Sequence, residues 1–165
     1  MSWSPDQLRE VLGSDAGSLD LAGADISVPK EFFGERYRAA TVPEAIQHDS
    51  LGRLVCFGRT WLTDPICVEP VTGQVVEIRP NSADVYVVNS SLRQFTDTVR
   101  ATIQALPYYE DGSNDEEVRA AVTRLSGIIR DIDPPAMIRH RFWSTFVEDV
   151  EMGDFTTDRI ADDDF

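Results

Sequence analysis

The sequence predicts an α+β fold in which a central, mostly antiparallel sheet is flanked by N- and C-terminal helices. Segments rich in Val, Ile, Phe and Tyr, with short connections between them, occupy residues 52–89. Such segments are typical of antiparallel strands. From residue 92 onward, apolar residues recur at steps of three or four, which indicates helices. Strands grouped apart from helices favour an α+β fold over a wound parallel sheet.

The N-terminal part is predicted to begin with a short helix. Ser4 is a suitable N-cap for residues 5–12, Pro5 suits the first helical position and Gln7 completes a capping box. A loop rich in Gly, Ser and Asp follows. Beyond it, we expect three aromatic residues to anchor an irregular segment to the core: Phe32, Phe33 and Tyr37.

Four strands are predicted in the middle of the chain, at residues 52–58, 65–70, 71–78 and 83–89. Gly73 lies in the short connection between the second and third of these regions. Two apolar runs with a glycine in a short connection predict a hairpin.

Three helices are predicted after the strands. Asn89 and Ser91 are interpreted as the structural cap of the first, which ends before Pro107. Asn114 is predicted to cap the second, with Glu117 at the capping-box position, and the last is predicted over about 140–152. The apolar stripes of these helices are Leu92, Phe95, Val99, Ile103 and Leu106, then Val118, Val122, Leu125, Ile128 and Ile129, then Trp143, Phe146, Val147 and Val150.

Length and composition fit one compact domain over residues 1–165. The chain has 165 residues, of which 42% are hydrophobic, enough to form a core without disulfides or a metal ion. We expect the acidic tail at residues 157–165 to be frayed.

Cys56 and Cys67 lie in apolar segments and are predicted to be reduced core residues of a cytoplasmic protein. The N-terminus lacks the features of a signal peptide, and no stretch is long and apolar enough for a membrane span.

Charge narrows the classes of partner. The formal net charge is −14, from 29 acidic and 15 basic residues. Such a field disfavours binding to nucleic acid or to an anionic membrane, and it fits either solubility alone or a basic protein partner. Residues 108–117 carry five acidic side chains and no basic one.

No catalytic, metal-binding or cofactor-binding residues are predicted, so we expect a protein that is not an enzyme. The G-x-S-x-G motif, the phosphate-binding loop and the spacings of zinc ligands are all missing from the sequence. His48 is interpreted as an exposed loop residue and His140 as a helix-surface residue. A hydrolase that unites either histidine with Ser91 or a carboxylate remains an alternative hypothesis.

The middle and end of the chain resemble a known family. The segments LVCFG, PICVEPVTGQVVEI and VYVVNSSLRQFTDTV, followed by IDPPAM and FWSTFVEDVEMGDF, are similar in order and spacing to the SUKH superfamily, specifically the SUKH-4 group of bacterial immunity proteins. The resemblance covers roughly residues 26–156 and includes Phe57-Gly58, the helix with Phe95 and the helix with Trp143.

The resemblance implies a role in binding, without catalysis. Related proteins are encoded beside polymorphic toxins and bind the toxin's C-terminal domain, often a nuclease or a nucleic-acid deaminase. We therefore expect an immunity protein that occludes a basic toxin domain, acts as a monomer and needs no cofactor. The superfamily also includes hubs of the fungal cell-wall signalling type, so a non-catalytic acidic adaptor is the alternative. The predicted partner-binding residues are Trp61, Asp64, Glu110 and Asp111.

Overall fold

The computed structural model describes residues 2–3, 10–11, 26–27, 31–32, 36–60, 62–79 and 85–155. The chain divides into two compact units, Met1–Val99 and Arg100–Phe165. The described strands belong to the first unit and most of the helical residues to the second, which confirms the α+β class. Residues 10 and 11 of the predicted N-terminal helix are helical. The rest of that helix and the tail at 157–165 lie outside the described residues.

Among the described residues, the main sheet of the first unit has six antiparallel strands that follow one another in chain order. A separate antiparallel pair is formed by β1 (Ser2–Trp3) and β2 (Ile26–Ser27). The four strands predicted in the middle of the chain and the hairpin are confirmed. The strands of the main sheet are β3 (Glu31–Phe32), β4 (Tyr37–His48), β5 (Gly52–Arg59), β6 (Pro65–Val68), β7 (Val75–Ile78) and β8 (Val85–Asn89).

Strand β4 corrects the sequence analysis, which assigned its beginning to an irregular segment. It has 12 residues and is the longest described strand. Its register against β5 shifts between Ala39 and Glu44, so residues 40–43 lie opposite a shorter stretch of β5. Such a bulge interrupts the alternation of apolar and polar residues that marks a strand in the sequence, and Pro43 further weakens the pattern. The expected anchoring is confirmed for Phe32 and Tyr37, which are both buried, whereas Phe33 lies outside the described residues.

Both faces of the main sheet carry buried apolar side chains. One face carries a cluster of buried side chains, Leu54, Cys56, Cys67, Val76 and Ile78. On the other face, the rings of Tyr37, Phe57 and Phe95 pack together with centroid distances of 5.3–6.1 Å. Phe95 belongs to helix α1 (Leu92–Gln104), so the start of that helix is fixed by aromatic packing in the first unit. The two cysteines are free and buried, as predicted.

Gly58 is required because the Tyr37 ring lies directly against it. A Cβ atom at this position would be 2.1 Å from Tyr37 Cε2 and 2.9 Å from the backbone oxygen of Arg38. Real Cβ atoms essentially never lie this close to other atoms, so a larger residue at this point of β5 would force the ring or the backbone to move. The absence of a side chain at Gly58 therefore lets the Tyr37 ring pack directly on the backbone of β5, next to Phe57.

The second unit is built on helices α2 (Asp115–Ile132) and α3 (Phe142–Glu151), with a 3₁₀ turn at Pro134–Met137 between them. Asn114 caps α2 and forms the predicted capping box with Glu117. The predicted last helix is confirmed, with ends that differ by one or two residues. The buried side chains of the unit include the predicted apolar residues Leu125, Ile129, Trp143, Phe146 and Val150.

Candidate partner-binding surface

Two of the residues predicted to bind a partner, Glu110 and Asp111, line an open cleft of about 570 Å³ in the second unit. Both side chains are exposed. The cleft is formed by the loop after α1 and by one face of α2. Its lining residues are Tyr108, Tyr109, Glu110, Asp111, Gly112, Ser113, Glu117, Ala120 and Arg124.

The loop that forms one wall of the cleft is held by hydrogen bonds from side chains to the backbone. The buried Tyr108 hydroxyl donates to the carbonyl of Thr102 at 3.0 Å. The Arg124 guanidinium donates to the carbonyl of Tyr108 at 2.9 Å. The Tyr109 hydroxyl donates to the carbonyl of Val150. These bonds connect the loop to α1, α2 and α3, so the carboxylates are presented by a fixed backbone.

Burial of the Tyr108 ring keeps its hydroxyl neutral. The ring packs edge-on against Phe146, with 6.1 Å between centroids. Removal from water raises the pKa of the Tyr108 hydroxyl well above its ordinary value, because burial disfavours the charged form. The hydroxyl therefore remains a hydrogen-bond donor to Thr102 throughout the physiological pH range.

The other wall begins at the capped end of α2. The Asn114 side chain accepts hydrogen bonds from the backbone of Glu116 and Glu117 at 2.9 and 3.1 Å. The Glu117 carboxylate accepts in return from the Asn114 backbone at 2.9 Å. Acidic side chains in the first turn of a helix are stabilised by the helix dipole, so Asp115, Glu116 and Glu117 can be placed together here without loss of helix stability.

The electrostatic balance of the cleft is negative. Glu110, Asp111 and Glu117 contribute three carboxylates, and Arg124 contributes one cation that already bonds to the backbone of Tyr108. The ring of Tyr109, which is half-buried, adds aromatic surface beside the carboxylates, whereas the Tyr108 ring is buried beneath the loop. This combination suits a lysine or arginine side chain, since carboxylates pair with the cation and an aromatic face attracts it.

The remaining predicted contact residues belong to the first unit. Asp64 is 8% exposed. Its backbone is held by Thr60, whose amide donates to the Asp64 carbonyl at 3.0 Å and whose hydroxyl accepts from the Asp64 amide at 3.2 Å. Asp64 therefore closes the turn between β5 and β6, which leaves little of its side chain for a partner. Trp61 lies outside the described residues.

A second polar cluster lies on the main sheet. Glu77 is 6% exposed and accepts a hydrogen bond from Arg79 at 3.2 Å. The Arg79 guanidinium lies 4.5 Å from the centre of the Tyr86 ring, and Tyr86 pairs with Glu77 across the strands. The buried carboxylate is thus neutralised by a cation that also stacks on an aromatic ring, and the cluster stabilises the β7–β8 edge.

The residues of the alternative hydrolase hypothesis are engaged locally. His48 is the last residue of β4 rather than a loop residue, and its Nδ1 lies 3.2 Å from the Ser50 hydroxyl in the following turn. The Ser91 hydroxyl donates to the Gln94 side chain at 2.8 Å and accepts from the Gln94 amide at 3.2 Å. His140 lies in the turn before α3, with a positive φ of 59°, rather than on a helix. Each group thus has a role in a turn or a cap.

Sequence reasoning found the acidic loop but not the whole cleft. Glu117 was predicted as a capping residue and counted among the acidic side chains at 108–117, but it was not assigned to a binding surface, and Arg124 was not identified. The available signal was helical spacing, because Glu117, Ala120 and Arg124 recur at steps of three and four and therefore share one face of α2. The contribution of Tyr108 and Tyr109 could not be found this way, because their positions depend on hydrogen bonds to Thr102 and Val150.

Within the described parts of the chain, no group of three or more His, Cys, Asp or Glu side chains is arranged to hold a metal ion. Among the helices that the structure describes, none has the length and apolar character needed to cross a bilayer.

A model of the SUKH-4 immunity protein family matches residues 24–149. No curated protein and no solved structure matches the chain.

Proposed function

This chain belongs to the SUKH-4 immunity protein family, and we propose that it binds a cognate bacterial toxin domain and neutralises it by occlusion. The proposed toxin is a basic domain that acts on nucleic acid, a nuclease or a deaminase. The formal net charge of −14 supports this choice, because a strongly acidic protein attracts a domain built to bind phosphate. We infer that the protein acts in the cytoplasm of the producing cell, as a monomer and without catalysis.

The acidic cleft of the second unit is the observation that carries the proposal. A toxin that binds nucleic acid presents lysine and arginine side chains where the phosphates bind. Glu110 and Asp111 are exposed in the lining of the cleft, and the half-buried Tyr109 lines it with them. Cationic side chains of the toxin bind the carboxylates of the cleft where they would otherwise bind the phosphates of nucleic acid. The rest of the immunity protein then blocks the substrate groove of the toxin. Trp61 and Asp64 remain proposed additional contacts.

Complementary charge on the two proteins governs the rate of encounter more than the final affinity. The acidic residues of the cleft therefore direct the toxin toward this face before close contacts form. Because exposed charges are screened by salt over about 8 Å at physiological ionic strength, the contribution of the cleft is largest in dilute buffer and decreases as salt is added.

The function is tested by co-expression with the toxin domain encoded beside this gene. We expect cells that produce both proteins to grow, and cells that produce the toxin alone to die. Equal killing with and without this protein would disprove immunity toward that toxin. A stable complex with a protein that is not a toxin would instead favour the adaptor function.

The binding face is tested by paired charge reversals. The variant Glu110→Lys/Asp111→Lys changes the cleft, and the control Glu148→Lys/Glu151→Lys makes the same change in net charge at exposed positions of α3 that do not line it. We expect the cleft variant to associate with the toxin about tenfold more slowly in low salt, and the control to show a much smaller effect. Equal on-rates for the two variants in stopped-flow measurements would assign binding to another face, while immunity itself could still stand.

A further inference from the structure

Cys56 and Cys67 form a directly opposed pair in the centre of the main sheet. Cys56 of β5 and Cys67 of β6 are register partners in the antiparallel ladder. Both side chains belong to the same buried cluster and have no solvent exposure. The proposed toxin-binding function uses neither thiol.

The backbone geometry of such a pair is compatible with a covalent bond. Directly opposite residues of an antiparallel ladder have Cα atoms about 4.5 or 5.5 Å apart, depending on the type of pair. Disulfides join Cα atoms that are about 4.4–6.8 Å apart. The two cysteines are register partners in the same buried cluster, so their backbone separation lies in the range that a disulfide spans.

The two sulfur atoms are chemically distinct. The Cys56 thiol also lies 3.3 Å from the carbonyl of Gly58. A hydrogen bond from the Cys67 thiol lowers the pKa of Cys56, whereas the same bond, together with burial, raises the pKa of Cys67. Since the thiolate is the nucleophile in thiol oxidation, Cys56 is the sulfur that reacts first and Cys67 is the one that resolves.

We propose that hydrogen peroxide oxidises Cys56 and Cys67 to a cross-strand disulfide that locks β5 to β6. The Cys56 thiolate attacks one peroxide oxygen, the O–O bond breaks, and Cys56 becomes a sulfenic acid while hydroxide leaves. The Cys67 sulfur then attacks the Cys56 sulfur, the S–O bond breaks, and the oxygen leaves as water with the proton from Cys67. Overall, two thiols lose two hydrogen atoms and one peroxide is reduced to two molecules of water.

The burial of the pair determines how the reaction proceeds. A peroxide molecule reaches the sulfur atoms only when the chain opens locally, so oxidation is slower than for an exposed thiol. Once formed, the bond closes a short loop and restricts the unfolded chain. The oxidised protein therefore unfolds at a higher temperature than the reduced protein, and a reductant reverses the difference.

Peptide mapping tests the bond directly. After treatment with peroxide and alkylation of the remaining thiols, trypsin cleaves at Arg53, Arg59 and Arg93 but not at Arg79, which precedes Pro80. Cys56 then lies in the peptide 54–59 and Cys67 in the peptide 60–93. We expect these peptides to remain joined without reductant, at a mass two hydrogen atoms below their sum, and to separate after reduction.

Two further measurements complete the test. The thermal midpoint of the oxidised wild type is expected to rise by several degrees, while Cys67→Ser shows no rise and no joined peptides. Cys67→Val, which fills the same apolar site, replaces the serine variant if the latter fails to fold. Recovery of both wild-type peptides separately alkylated, or of cross-linked dimers in place of the internal bond, would overturn the proposal. This result is independent of toxin binding.

Discussion

Replacement of Gly58 by alanine tests the contact between Tyr37 and the sheet. The added Cβ would lie 2.1 Å from Cε2 and 2.8 Å from Cζ of the Tyr37 ring. The ring has no space to move aside, because it is fully buried and contacts the rings of Phe57 and Phe95 at 6.1 and 5.3 Å. The added Cβ would also lie 2.9 Å from the backbone oxygen of Arg38, and Arg38 is held in the ladder opposite Arg59.

The size of the effect follows from overpacking. One extra methyl group in a well-packed core typically costs about 1–3 kcal/mol through displaced side chains and backbone. Here the overlap involves both a buried ring and a backbone oxygen, so the expected loss lies at the upper end, about 3 kcal/mol of unfolding free energy.

Urea unfolding followed by tryptophan fluorescence measures this loss. The matched control is Gly127→Ala in α2, where an added Cβ has nothing within 4 Å and where alanine is expected to add about 0.5–1 kcal/mol, because glycine is a poor helix former. A Gly58→Ala protein as stable as the wild type would show that the ring and strand separate easily, and would refute the proposed packing.

Two other substitutions address the cap and the buried hydroxyl. Ser91→Ala removes the oxygen that accepts a hydrogen bond from the Gln94 amide. The free energy of unfolding, measured with urea, is expected to fall by about 1 kcal/mol, while toxin binding measured by calorimetry is unchanged. Loss of binding by a stably folded variant would contradict the structural role of Ser91. Tyr37→Phe removes a hydroxyl that has no hydrogen-bond partner among the described residues and is expected to add about 1 kcal/mol. Burial raises the pKa of Tyr37, so the unfolded chain loses its proton first above the ordinary tyrosine pKa of about 10. The free energy of unfolding of the wild type then falls with rising pH. Tyr37→Phe should lose less of this free energy than the wild type between pH 9 and 11, roughly the range around that pKa. An equal or steeper loss in the variant would contradict the raised pKa of the buried Tyr37 hydroxyl.

The regular elements could be predicted because local signals agreed with the final packing. The strands β5 to β8 carry continuous β-branched and aromatic residues, and Asn114 with Glu117 is a complete capping signal. Strand β4 was not predicted because its bulge and Pro43 interrupt the alternation of apolar and polar residues by which a strand is recognised in a sequence. Its formation depends on pairing with β5 across the turn at 49–51, in a register that the interrupted apolar pattern of β4 does not reveal.

Only the acidic loop of the candidate site could be predicted, because its charged residues are close together in the sequence. Five acidic residues in ten positions identify the loop at 108–117. The cleft arises from the way in which Tyr108, Tyr109 and Arg124 hold that loop against three helices. Those bonds connect residues up to 41 positions apart, which places them beyond any pattern of spacing.

The same bonds separate the structural residues of the second unit from those proposed to bind the toxin. The loop is held by tyrosine hydroxyls and a guanidinium that bond to backbone carbonyls, so its position in these contacts does not depend on the Glu110 carboxylate. Glu117 differs, because its carboxylate both lines the cleft and completes the cap of α2. A charge reversal at Glu117 would weaken the helix and the surface together. Glu110 is therefore the position at which a change in association rate reports on binding alone.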